Sequence, residues 1–178
     1  MCVERRSGIV SNMNTKPTGV ISRELMGALT KQFELNLTGI HGPPHWGRVR
    51  TNGLLLAELT DANVKVVELF SVLHDSRRID EGRDEGHGER ACEYAKTLNG
   101  DLFELAPAEL ELLCDACAGH SDGKLTADIT IQVCWDADRL DLGRLGIVPE
   151  ADKLCTEAAR DPEFLWSAYK RSQKSMLG

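Results

Sequence analysis

Five histidines and a short run of acids carry whatever chemistry this chain can do. The histidines are His41, His45, His74, His87 and His120, and there are no others. His74 is followed at once by Asp75. The series closes on Asp136 and Asp138, in Cys134-Trp-Asp-Ala-Asp-Arg-Leu-Asp141. Imidazole and carboxylate together are the usual donors to a catalytic first-row divalent metal. The expected chemistry is metal-assisted hydrolysis, with a phosphate ester or anhydride as the first candidate bond.

Donors so far apart in the chain need a scaffold that gathers them, and hydrophobic spacing supplies one. Ile21, Leu25, Met26, Leu29 and Phe33 recur at helical intervals over 19–35. Gly39 to Pro44 is a break, where two consecutive prolines end any helix. A helix follows over 45–60, with Val49, Leu54, Leu55, Leu56 and Leu59 on its broad apolar side. Asp61 is the expected cap of the next helix, 62–75. That helix is apolar nearly all round, the mark of a buried central element. Residues 76–86 are polar, carry two glycines and read as an exposed loop. Further helices fit 87–98, 107–119 and 127–140, with a loop over 119–126. Ile129 to Trp135 is β-branched enough to read as a strand, but its helical neighbours favour helix. A short helix within 145–156 and a last one over 161–174 complete the pattern. Residues 1–17 read as a flexible N-terminal arm. Residues 18–178 read as one all-α domain, a compact bundle of about seven helices.

These elements place the donors usefully. His45 opens a helix, His74 and Asp75 close the most buried one, and Asp138 lies near the end of a later one. Converging helix ends can present such side chains to one point. Two histidines and two carboxylates would bind one ion and leave room for water. His87 and His120 would complete a second site, with Asp75 as a bridge. Water on such a metal becomes a hydroxide nucleophile near neutral pH.

Composition bounds the partners. The chain has 178 residues and a net charge of −7, from 21 basic and 28 acidic side chains. Its pI is about 5.3. Nucleic acid is not an expected partner, because such binding is driven by neutralising phosphates. No apolar run approaches the roughly 20 residues that span a bilayer. Met1 to Pro17 lacks the apolar core of a secretory signal. Cys2, Cys92, Cys114, Cys117, Cys134 and Cys155 do not form the framework of a small secreted domain. A reduced, cytoplasmic protein is expected. Cys114 and Cys117 have redox or zinc spacing but no second pair, so they read as structural.

The order and setting of these residues resemble the HD-domain metal-dependent phosphohydrolase superfamily, from about His41 to Gly146. His41-Gly-Pro-Pro-His45-Trp-Gly-Arg48-Val49 resembles the family's opening segment, with His45 as ligand. Phe70-Ser-Val-Leu-His74-Asp75 resembles the doublet that names the family. His87-Gly-Glu-Arg-Ala resembles the helix opening of members with extra histidines. Trp135 to Asp141 resembles the closing segment, which favours Asp138 over Asp136 as ligand. The resemblance implies an all-α HD-type bundle, a divalent metal, and hydrolysis of a phosphoester or nucleotide. It also has departures. His120 stands without the second histidine and Gly-Tyr-Pro of the cyclic-dinucleotide phosphodiesterases. Arg77 and Arg78 replace the Glu-Asp pair of the alarmone hydrolases. Small stand-alone members match best.

A phosphorylated substrate needs cations near the metal. Arg48, Arg77, Arg78, Lys124, Arg139 and Arg144 all flank ligand segments. Of these, Arg48, Arg77 and Arg139 are the candidates to hold phosphoryl oxygens. Asp75 is the candidate proton acceptor. His41 is expected to support a ligand rather than be one. Trp46, Trp135 and Trp166 are expected as buried anchors.

The sequence therefore points to a metal-dependent phosphohydrolase with a small phosphorylated substrate, a nucleotide first. Water-derived hydroxide would attack phosphorus in line. One or two ions of Mn, Fe, Co, Ni, Zn or Mg would be held by His45, His74, Asp75, His87, His120 and Asp138. The alternatives are a non-catalytic module that binds metal or nucleotide and an HD-type metal-dependent oxygenase. Loops 76–86 and 119–126 would shape the pocket. The aromatic last helix offers a face for homodimer formation.

Overall fold

The structure, a computed structural model, describes residues 16–173. The arm expected over 1–17 lies, except for its last two residues, outside the described residues, as does Cys2. The described residues form eight α-helices and no strand. The helices are α1 (Arg23–Gln32), α2 (Pro43–Ala57), α3 (Val64–Leu73), α4 (His87–Leu98), α5 (Pro107–Gly119), α6 (Ile129–Arg139), α7 (Glu157–Arg160) and α8 (Pro162–Gln173). Short 3-10 turns cover Leu142–Leu145 and Ala151–Lys153. The all-α expectation holds, and the β-branched stretch at 129 is helix. Tertiary packing outweighs its local strand preference.

Three boundaries differ from the sequence reading, each for a local reason. Pro43 and Pro44 begin α2 rather than end a helix. The first helical positions need no N–H donor, so proline costs nothing there. Asn63, not Asp61, caps α3: its side chain accepts from the amides of Lys65 and Val66 at 3.1 and 3.3 Å. Asn63 also donates to Glu109 Oε1 at 2.8 Å, tying α3 to the start of α5. Asn63→Ala is expected to lower stability by about 1.5 kcal/mol, read as a shift in the denaturant midpoint. The short helix expected before 156 is a 3-10 turn, and α7 follows as one turn.

Helix α3 is the centre, in contact with α1, α2, α4, α5 and α6. Val66, Leu69, Phe70 and Leu73 are fully or almost fully buried on it. Burying each such side chain contributes about 2 kcal/mol. Around it pack Leu25 and Leu29 of α1, Trp46, Val49 and Leu56 of α2, Leu113 of α5 and Val133 of α6. Trp46 and Trp135 are the buried anchors expected, but Trp166 is 54% exposed and stacks on Tyr169 at the surface of α8. Cys92, Cys114, Cys117, Cys134 and Cys155 are buried free thiols. No helix among the described residues is long and apolar enough to cross a membrane.

Candidate metal centre

The expected donors come from helix ends. His45 lies in the first turn of α2, and His74 is the C-cap of α3 with Asp75 next. His87 is the first residue of α4, His120 the C-cap of α5, and Asp138 the last residue but one of α6. The fold brings all six together, every one but Asp138 fully buried or nearly so.

They form two groups that share one carboxylate. In the first, His45 Nε2 lies 3.1 Å from His74 Nε2 and 3.3 Å from Asp138 Oδ1. Asp75 Oδ2 lies 3.6 Å from His45 Nε2 and 3.5 Å from His74 Nε2. In the second, His87 Nε2 lies 2.8 Å from His120 Nε2. Asp75 Oδ1 lies 3.4 and 3.6 Å from those two nitrogens. Asp75 thus gives one oxygen to each group.

Every ring in the two groups is anchored by its other nitrogen. His45 Nδ1 meets Asp141 Oδ2 at 2.7 Å, and His74 Nδ1 meets the Phe70 carbonyl at 3.1 Å. His87 Nδ1 meets the Asp84 carbonyl at 2.5 Å, and His120 Nδ1 the Cys117 carbonyl at 2.6 Å. An acceptor against Nδ1 assigns the proton there and leaves the lone pair on Nε2. Four such lone pairs and two carboxylates then face one another. Without positive charge between them this is repulsive. The donor set therefore fits divalent cations.

The electrostatics agree. Burial would raise both acids, yet the imidazoles hold Asp75 and Asp138 well below the usual carboxylate range, Arg144 adding to the effect at Asp138. Burial pushes His74 down to about 3 and lowers His87. At His45 and His120 burial is outweighed by Asp138 and Asp141 and by Asp75 respectively, so both rise. Both acids are ionised, and the rings would trade protons for any cation that entered.

Asp136 and Asp138 part company. Residues two apart on a helix point about 200° from each other. Asp138 faces the centre, while Asp136 accepts from the amides of Cys155 and Thr156 at 2.6 and 2.8 Å, docking the segment before α7. Asp141, three residues on, returns to the centre to orient His45. Asp141→Asn is expected to weaken metal binding in the first group roughly 10- to 100-fold, measured by chelator competition.

The arginines need correcting. Arg48 does not face the open side: it forks onto Asp141 at 2.7 and 3.0 Å and backs His45. Arg77 points away, donating to Gln32 Oε1 at 2.9 Å and lying over the Tyr94 ring. Arg139 donates to the carbonyls of Lys124 and Lys153 and lies over Trp135, joining loops instead of holding a ligand. These contacts with protein acceptors and rings fix where each of the three side chains points. The guanidiniums beside the centre are Arg78, whose Nε reaches Asp75 Oδ1 at 2.9 Å, and Arg144, 4.0 Å from Asp138 Oδ1. His41 joins neither group and pairs with Glu81 at 2.7 Å. Sequence reasoning missed Asp141, whose i+3 spacing from Asp138 was a usable signal. It also missed Asp84, which accepts from the Ile79 amide and Arg90 and orders loop 76–86.

No protein-family model and no curated protein matches this sequence. Among solved structures, the chain is similar to a predicted HD superfamily hydrolase from an uncultured Thermotogales bacterium. The TM-score is 0.65 at 22% identity, over 87% of this chain and 88% of that one. That likeness, over nearly the whole of both chains, shows that this chain has the HD-domain fold.

Proposed function

We propose that the protein is a metal-dependent phosphohydrolase acting on a small phosphorylated molecule, a nucleotide being one member of that class. The observation that carries the reading is the sharing of Asp75 between two groups of imidazoles whose lone pairs converge. Divalent cations held by His45, His74, Asp75 and Asp138, and by Asp75, His87 and His120, would polarise a phosphoryl oxygen and acidify a bound water. The chain's own residues set the rest. Asp141, Phe70, Asp84 and Cys117 lock the four rings through Nδ1, so the donors are pre-oriented. Both Asp75 oxygens are engaged, one of them also with Arg78, which argues against Asp75 as the proton acceptor. Asp138 is better placed: its side chain is 17% exposed, the most of the six, and only its Oδ1 faces His45. Arg78 supplies positive charge at the cleft, and the mostly buried side chain of Arg144 lies 4.0 Å from Asp138 Oδ1.

The test is elemental analysis of protein purified without chelators, paired with phosphate release from p-nitrophenyl phosphate. Two equivalents of metal, falling to one in His87→Ala, and turnover lost on chelation would support the reading. Metal without turnover of any phosphate compound would leave a binding module. Oxygen uptake on iron loading, with no phosphate release, would replace hydrolysis by oxygenation.

A further inference from the structure

We propose, resting on the hydrolase reading, that the substrate is a small hydroxyl-rich phosphomonoester, sugar-like and not a nucleotide, with its phosphoryl group on Arg78. An open cleft of about 470 Å³ lies beside the second histidine group, with Arg78, His87, Glu89, Ser121 and Asp122 in its walls. That volume is at the small end of the roughly 300–1,000 Å³ usual for metabolite sites. Arg78 spends Nε on Asp75 and Nη1 on the carbonyls of Asp80 and Gly82. Its Nη2 has no partner among the described residues. The guanidinium is thus fixed in place in the cleft wall and still has a donor to give, of the kind that suits a phosphoryl oxygen. Ser121 Oγ lines the same cleft, 3.4 Å from His87 Nε2.

Away from Arg78 the walls are mostly acidic: Arg83 is paired with Glu85 and Asp84 with Arg90, which leaves Glu89 and Asp122. Glu89 has no partner among the described residues, and Asp122 shares Lys124 at 2.8 Å. Carboxylates repel a phosphoryl dianion, so they fix which end of the substrate lies where. They are also acceptors for hydroxyl groups. A nucleobase would want a broad flat ring to stack on, and no Phe, Tyr or Trp lines this cleft; the one ring in its walls, His87, is committed to the second group. Trp135 borders the adjoining hollow past Glu89 and Asp122, but it is 3% exposed and Arg139 covers its ring.

The experiment is calorimetric titration of the metal-loaded protein with inorganic phosphate, glucose 6-phosphate and adenosine monophosphate, with phosphate release followed for the two esters and for p-nitrophenyl phosphate. Glucose 6-phosphate should bind at least tenfold tighter than the other two titrants. Arg78→Gln should weaken all three at least tenfold, and Glu89→Gln should erase the advantage of the hexose. Should Arg78→Gln lose metal, Glu89→Gln alone decides. Tighter binding of adenosine monophosphate, equal binding of hexose phosphate and phosphate, or an advantage that survives Glu89→Gln would overturn the proposal. In those cases turnover of p-nitrophenyl phosphate would leave the hydrolase reading standing. Absence of both phosphate binding and turnover would bring down the hydrolase reading and this one with it.

Discussion

Asp75→Asn is expected to empty both metal groups and to lower turnover on the order of 10³-fold, beyond the 10- to 100-fold loss typical of residues that only orient ligands. The reason is geometric. Oδ2 faces His45 and His74, and Oδ1 faces His87 and His120. An amide keeps one oxygen but must turn its NH₂ toward one pair of rings. It also removes the negative charge that both groups share and that Arg78 balances. His87→Ala touches only the second group and should keep one equivalent. Metal analysis of the two variants side by side is the measurement. Two equivalents retained by Asp75→Asn would mean that this carboxylate does not bridge.

The second large effect involves no ligand. Gly88 follows His87 where α4 packs on α5, and these helices approach closely. A Cβ at Gly88 would lie far inside contact with the Cys117 carbonyl oxygen and 3.0 Å from its carbonyl carbon. That carbonyl is the one that anchors His120. Gly88→Ala must therefore push the two helices apart, at about 3 kcal/mol, the upper end of overpacking costs. The Tm should fall by roughly 6–12 °C. His87 and His120 would separate with the helices. Metal content should fall toward one equivalent in protein that still folds, since the first group lies on α2, α3 and α6. Unchanged melting and metal content would show that the helices absorb the extra carbon.

Much of this centre was legible because its donors are scarce residue types at helix ends. Histidine occurs five times, and four of those rings converge. Hydrophobic spacing found α3 as the central helix and placed His74 and Asp75 at its end. What was not legible depends on where side chains go after the backbone is set. Arg77 and Arg78 are adjacent and chemically alike, yet one helical step decides that Arg78 meets Asp75 while Arg77 lies on Tyr94. Arg48 pairs with Asp141, an acid of the closing segment that was always an available partner for a nearby arginine, and the spacing alone could not decide between that acid and a phosphate. Asn63 outcompeted Asp61 as a cap because α3 starts later than its apolar pattern suggests. Pro43 and Pro44 show the same limit, since a pair of prolines ends one helix or begins another according to which side the packing lies on.

The orientation of the helices has its own effect on the order of binding. Helices α3, α5 and α6 all end at the centre, at His74, His120 and Asp138. Each C-terminal end carries roughly half a negative charge from its aligned peptide dipoles. Helices α2 and α4 begin at the centre, at His45 and His87, and their positive ends offset two of the three. One unmatched C-terminal end therefore adds to the two carboxylates in drawing cations in and turning anions away. A phosphate group meets net repulsion there until the metal arrives, and attraction afterwards. Assembly should thus be sequential, cation before phosphate. Protein stripped of metal should show no measurable uptake of inorganic phosphate in a titration that detects it readily once metal is restored.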